Sequence, residues 1–307
     1  MPTTYATDNS VLASPVVQKV IAEIKTNYAW SVEQTSLEKR CLLATQEDRS
    51  EQSSIEACIA AIVESLDGHS SYYGAGKTQE LMAQNSKQPE PITTESLFSG
   101  EIGYIAIPQF LNNTRENISL KAANFLGQPR FLTGLIIDLR NCPGGTLQSV
   151  IDVAGLFLPD NTLIGTLETQ RPPPQKRQCL TSARGKKHEN VSVTGMLKAV
   201  PLVVLVNQNT ARGAEFLAAA LRESGRATVI GSATARKGDV QTIIPLSSKS
   251  FLKLTTHILL TSSGHSIGDD GVRIDIESSD NALTNTSQRL EDDPVIKQAY
   301  AKFKSDK

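Results

Sequence analysis

Apolar residues recur at helical spacing in two places near the start of the chain. Val16, Val17, Val20, Ile21, Ile24 and Tyr28 fall on one face of a 3.6-residue period, and Ile55, Ile59, Ile62, Val63 and Leu66 repeat the pattern. This predicts an N-terminal helical element over residues 1–73. Over residues 74–99 the composition turns polar and the periodicity disappears, which predicts a linker. After Gly100 the apolar runs IGYIAI, GLIIDL, PLVVLV, ATVIG, TIIPL and LKLTTHILL alternate with helical stretches at 145–157 and 213–224. Unbroken apolar runs between helices are the pattern of strands buried on both faces, so residues 100–280 are expected to form stacked β/α units of an α/β core. The last segment, 281–307, carries a short helix that begins at Asp292-Asp293-Pro294, a favourable start.

Composition narrows the classes of partner. A chain of 307 residues can bury a sizeable core with a small element beside it. Its 31 Lys and Arg against 32 Asp and Glu leave a net charge near −1, which excludes general electrostatic attraction to nucleic acid or an anionic membrane. No apolar run approaches the roughly 20 residues of a bilayer span, and the first residues lack the basic and apolar regions of a signal peptide. The expectation is a soluble chain in the cytoplasm, with an exported protein whose signal has been removed as the alternative. Cys41, Cys58, Cys142 and Cys179 form no C-x-x-C pair, so they are read as reduced structural thiols, with no metal site and no cofactor motif. Residues 170–189 carry three consecutive prolines and a run of Lys and Arg. They read as an exposed basic loop, either solvated or able to capture an acidic partner or a peptide carboxylate.

Candidate chemistry gathers in residues 201–241, PLVVLVNQNTARGAEFLAAALRESGRATVIGSATARKGDVQ: a buried strand, a tight turn, a helix, a second strand and Lys-x-x-x-Gln. A second block, GLIIDLRNCPGG at 134–145, ends an apolar strand in a glycine-rich turn ahead of the helical pattern TLQSVIDVAGLF. With SLDGHSSYY at 65–73, IGYIAIPQF at 102–110 and LKLTTHILLTSSGHSIGDDGV at 252–272, these blocks resemble the carboxy-terminal processing (tail-specific) serine proteases over roughly residues 10–280. The resemblance implies a crotonase-like (ClpP/crotonase) core. It also implies a Ser nucleophile at position 212, Lys237 as general base, Gln241 as its orienting partner, and oxyanion donors from Gly144 or Gly145 and from Gly213. Thr210 matches the first residue of the family's Ser-x-Ser-x-Ser run. Typical members insert a peptide-binding PDZ domain where residues 74–99 stand, a stretch too short to fold into one. His69 matches a position used as a base by tricorn-type relatives that also lack the insertion; a structural hydrogen-bonding role is the other reading.

The departure is at the centre of the pattern. Glu215, Lys237 and Gln241 keep the family spacing, but residue 212 is Arg. A guanidinium stays protonated and has no free lone pair for attack on a carbonyl. Arg212 also brings a second cation toward Lys237, favouring the neutral form of that lysine, and sets a positive charge at a helix N-terminus, where the dipole disfavours it. An anion nearby relieves both effects, with Glu215, Asp239 or a bound carboxylate as candidates. Thr210 and Cys142 are the remaining groups beside the turn, the first two residues off position and the second without a base. The expected function is recognition of a polypeptide or its C-terminal carboxylate without efficient cleavage. The alternative is an active enzyme, either a peptidase with a non-standard nucleophile or a crotonase-like fold carrying another carbonyl reaction. Self-association is left open.

Overall fold

The computed structural model describes residues 9–45, 50–74, 90–126, 131–171, 178–182, 191–247, 250–278 and 289–305. In chain order the strands are β1 (Ser71–Tyr73), β2 (Thr93–Leu97), β3 (Ile102–Ala106), β4 (Gly134–Asp138), β5 (Leu163–Glu168), β6 (Gln178–Thr181), β7 (Leu202–Val206), β8 (Ala227–Gly231), β9 (Asp239–Pro245), β10 (Phe251–Thr261) and β11 (Ile276–Glu277). The chain divides into two compact units. The first holds residues 1–88, 168–176 and 239–258, and the second holds 89–167, 177–238 and 259–307.

The first unit contains more than the N-terminal helices, because β1 pairs antiparallel with β10 and β10 with β9, with Ser71 opposite Lys253 and Thr255 opposite Gln241. Among the described residues it also holds four helices, Asn9–Ala13, Pro15–Asn27, Gln34–Ala44 and Glu51–Glu64. Val17, Val20, Ile21 and Ile24 interdigitate with Leu37, Ile59, Ile62, Val63, Leu252 and Leu254 in one buried cluster, so the helical periodicity located the core face correctly. The thiol expectation is half overturned. Cys41 and Cys58 form a disulfide that joins helices Gln34–Ala44 and Glu51–Glu64 inside this core. Their 17-residue separation resembles no motif, and only helix pairing brings the Cα atoms to 4.2 Å. Cys142 and Cys179 are free, the first buried and the second exposed.

The second unit is built on a six-stranded sheet in the order β11-β8-β7-β4-β3-β2, parallel except for the β2 edge. Every residue of β4 and β7 is buried, which explains why their sequences are unbroken apolar runs. Helix Pro294–Ser305 lays Val295, Ile296, Ala299 and Phe303 against Ile102, Tyr104, Ile136, Val203, Leu205 and Ile230. Gly134 leaves room for this helix, since a Cβ there would sit 2.6 Å from the Phe303 ring. Asp293 opens the helix by accepting from the Val295 and Ile296 N–H groups, and its other oxygen takes Arg140 Nη1 at 2.7 Å.

Two expected loops contain strands. Thr93–Leu97, inside the expected linker, is β2, whose exposed edge position removes the need for an apolar run; residues 75–89 lie outside the described residues. Within the basic stretch, Gln178–Thr181 is β6 in an antiparallel ribbon with β5. Arg171 donates to the Lys25 and Thr26 carbonyls that end helix Pro15–Asn27, and the rest of that stretch lies outside the described residues.

Candidate active site

In the second unit, two turns leave the C-terminal ends of the adjacent parallel strands β4 and β7, the end of an α/β sheet where ligands bind. Side chains stitch them together. Asn207 Oδ1 accepts from the Asn141 N–H at 2.9 Å, and Asn207 Nδ2 donates to Asn141 Oδ1 at 3.0 Å. The Thr210 hydroxyl donates to the Leu139 carbonyl at 2.8 Å and accepts from the Asn207 N–H at 2.9 Å. It is fully buried and committed to the turn. The Ala211 N–H reaches the Cys142 carbonyl at 3.0 Å, bringing the glycine turn beside residue 212.

Arg212 stands just before helix Gly213–Glu223 with φ 53° and ψ −119°. This conformation suits glycine and costs a bulkier residue about 1–3 kcal/mol, so the surroundings must impose it. Glu215 does so. This buried carboxylate accepts the Arg212 N–H at 2.8 Å and the Lys237 N–H at 3.0 Å on one oxygen. The other oxygen accepts the Thr234 hydroxyl at 2.6 Å and the Arg236 N–H at 2.8 Å. One side chain therefore fixes both the strained turn and the backbone that carries Lys237. Both oxygens being occupied, Glu215 forms no ion pair with the Arg212 guanidinium. The Arg212 side chain is partly exposed, and the Lys237 side chain is exposed rather than desolvated.

The glycine turn is pressed against this elbow. A Cβ on Gly144, at φ +92°, would lie 2.8 Å from both the Ala211 carbonyl and the Gly213 nitrogen, and one on Gly145 would lie 2.0 Å from the Phe110 carbonyl. Only glycines permit the approach. Burial pushes the Cys142 thiol up to about 12, so it is inert at neutral pH. The N–H groups of Gly145 and Gly213 have no acceptor among the described residues. Gly145 N is 3.6 Å from where a Gly213 Cβ would stand. Two such donors at a helix N-terminus suit a carboxylate or another oxyanion.

Two expected site residues belong to the first unit. Gln241 donates its amide to the Asp239 carbonyl at 3.1 Å. His69 follows an Asx turn in which Asp67 Oδ1 accepts the His69 and Ser70 N–H groups, and its Nε2 lies 3.5 Å from Asp239 Oδ2. Burial alone would raise the Asp67 carboxyl, but these donors and the Ser70 hydroxyl outweigh it and hold Asp67 below the usual carboxylate range. Sequence reasoning missed the Glu215 hub with its Thr234 partner, and the buried Asp138–Arg140–Asp293 network behind the glycine turn. The Asp-x-Arg spacing at the end of β4 was the only signal for the latter.

Known proteins resemble this chain in sequence and in fold. The model of "Peptidase family S41" covers residues 101–278. A carboxy-terminal-processing protease of Bartonella bacilliformis is 33% identical over 184 residues, 58% of this chain and 38% of that protein. A carboxyl-terminal-processing protease of Synechocystis is 36% identical over 174 residues, 57% of this chain and 37% of that one. The chain thus spans less than two fifths of the length of these curated relatives. In fold it superposes on the photosystem II D1 C-terminal processing protease with a TM-score of 0.69 at 16% identity, covering 87% of this chain and 93% of that one. With a family match over more than half its length, the chain belongs to peptidase family S41.

Proposed function

We propose that this S41-family protein binds a polypeptide through its C-terminal carboxylate and does not cleave it efficiently. The observation that carries the reading is Arg212, held at φ 53° on an elbow whose Glu215 latch and glycine partners are all in place. A position under such strain points to a functional demand. The residue there is a cation beside two free N–H donors rather than a nucleophile. Thr210 and Cys142 do not supply the missing group, since one hydroxyl is spent and the other thiol is buried and protonated. In this reading peptide capture falls to the site itself, the stretch 74–99 being too short for the PDZ domain that typical relatives insert there. The buried Cys41–Cys58 disulfide supports an oxidising compartment, against the cytoplasmic expectation.

The test is hydrolysis of an unstructured protein such as casein by the purified chain. We expect no cleavage above background from the wild type, and measurable peptidase activity from Arg212→Ser, which returns a hydroxyl to the elbow. Casein degradation by the wild type that Lys237→Ala abolishes would replace this reading with that of an active peptidase.

A further inference from the structure

A second recess opens within the same unit, at the opposite end of helix Gly213–Glu223 from Arg212. It measures about 860 Å³ and is walled by Arg222 and Glu223 from that helix, the 261–265 turn after β10, and Asp270, Arg273 and Asp275. That size is in the range of small-molecule sites.

Most of its charged groups are already committed. Arg222 donates to Asp275 Oδ1 at 2.7 Å, and Asp275 Oδ2 accepts the Val229 N–H at 2.9 Å. Glu223 accepts the Ser262 hydroxyl, the Ser263 N–H and the Ser263 hydroxyl at 2.6, 2.9 and 2.6 Å. Burial pushes its carboxyl up, but the hydroxyl donors and the Ser263 N–H win and hold it below the usual range, so it is ionised and only accepts. Ser263 must then spend its one proton on Glu223. Its contact with His265 Nδ1 at 2.8 Å is consequently a bond that the imidazole donates, which assigns the proton to Nδ1 and leaves Nε2 with a lone pair.

Two charges remain. Arg273 and Asp270 are both exposed, both line the recess, and neither has a side-chain partner among the described residues. An uncommitted guanidinium fork suits a carboxylate, and an uncommitted carboxylate suits an ammonium. From this we infer that the recess is a binding site for a small zwitterion of the amino-acid or short-peptide kind, with its carboxylate on Arg273, its amine on Asp270 and His265 Nε2 as a further acceptor. The site is separate from the Arg212 elbow and stands whether or not the elbow binds peptides.

Titration calorimetry of triglycine, N-acetyl-triglycine and triglycine amide into the full chain tests it. Triglycine is expected to bind. Each blocked analogue, and each of Arg273→Gln and Asp270→Asn, should weaken binding on the order of tenfold or more by removing one charge-assisted hydrogen bond. In the Arg212→Ala background, which removes the elbow's cation, Arg273→Gln should abolish the preference for acid over amide, and Asp270→Asn the preference for amine over acetyl. Arg212→Ala should leave the triglycine binding at the recess in place, which separates the two sites. No binding of triglycine, or triglycine binding that neither recess variant alters, overturns the inference. Both substituted side chains are exposed, so misfolding does not confound the result.

Discussion

Breaking the Cys41–Cys58 bond tests how the first unit is held together. The disulfide ties two helices across a 17-residue separation and is buried within the cluster of Val17, Ile21, Leu37, Ile59 and Ile62. In the chain-entropy treatment, closing a loop of that length removes about 3 kcal/mol of conformational freedom from the unfolded chain at 25 °C. For a domain of this size, a loss of about 3 kcal/mol lowers the melting temperature by on the order of 10 °C. Differential scanning calorimetry of the oxidised protein, the reduced and alkylated protein and the Cys41→Ala/Cys58→Ala variant should show that drop in the latter two. Thiol counting gives an independent reading. Without reductant, the native chain should expose one reactive thiol, Cys179, and the denatured chain two, once Cys142 is uncovered. Four thiols in the denatured, unreduced protein, or equal melting of all three samples, would refute the reasoning.

Other consequences follow from single residues. Glu215→Ala should destabilise the protein by about 3 kcal/mol or more in urea unfolding, because it strands the Thr234 hydroxyl and three backbone N–H groups. Arg212→Gly should instead stabilise it by roughly 1 kcal/mol by the same measurement, since glycine takes φ 53° without strain at some cost in unfolded-state entropy. His257, held below its ordinary value of 6.5 first by burial and then by the Arg171 charge, takes up its proton more readily in the unfolded chain. Stability should therefore decline as pH falls through 6.5 toward the lower folded value, and His257→Gln should flatten that part of the melting-temperature profile.

Much of this molecule could be read from residue order alone. Periodicity placed Val17, Val20, Ile21 and Ile24 in the core, and unbroken apolar runs located β4 and β7, because burial on one or both faces imposes those patterns directly. β2 escaped detection because Thr93–Leu97 is an edge strand exposed for most of its length, and such a strand is as polar as a loop. The Cys41–Cys58 pair depends on helix packing, which no local spacing encodes. At the site, the spacing of Arg212, Glu215 and Lys237 was visible, whereas the work of Glu215 was not. A carboxylate that binds four donors from two segments looks, in sequence, like any acidic residue in the first turn of a helix. The exposure of Lys237 was likewise illegible, since it depends on what packs around the side chain and not on its spacing from Arg212 and Glu215.

The most direct test of carboxylate capture at the Arg212 elbow is a calorimetric comparison of one peptide, N-terminally acetylated, as the free acid and as the C-terminal amide. The free acid should bind the wild-type chain more tightly by on the order of ten- to a hundredfold, the equivalent of one charge-assisted hydrogen bond of about 1.5–3 kcal/mol. In the Arg273→Gln background, which removes the recess's carboxylate partner, Arg212→Ala should erase the difference. Equal affinity for acid and amide in the wild-type protein would contradict the account.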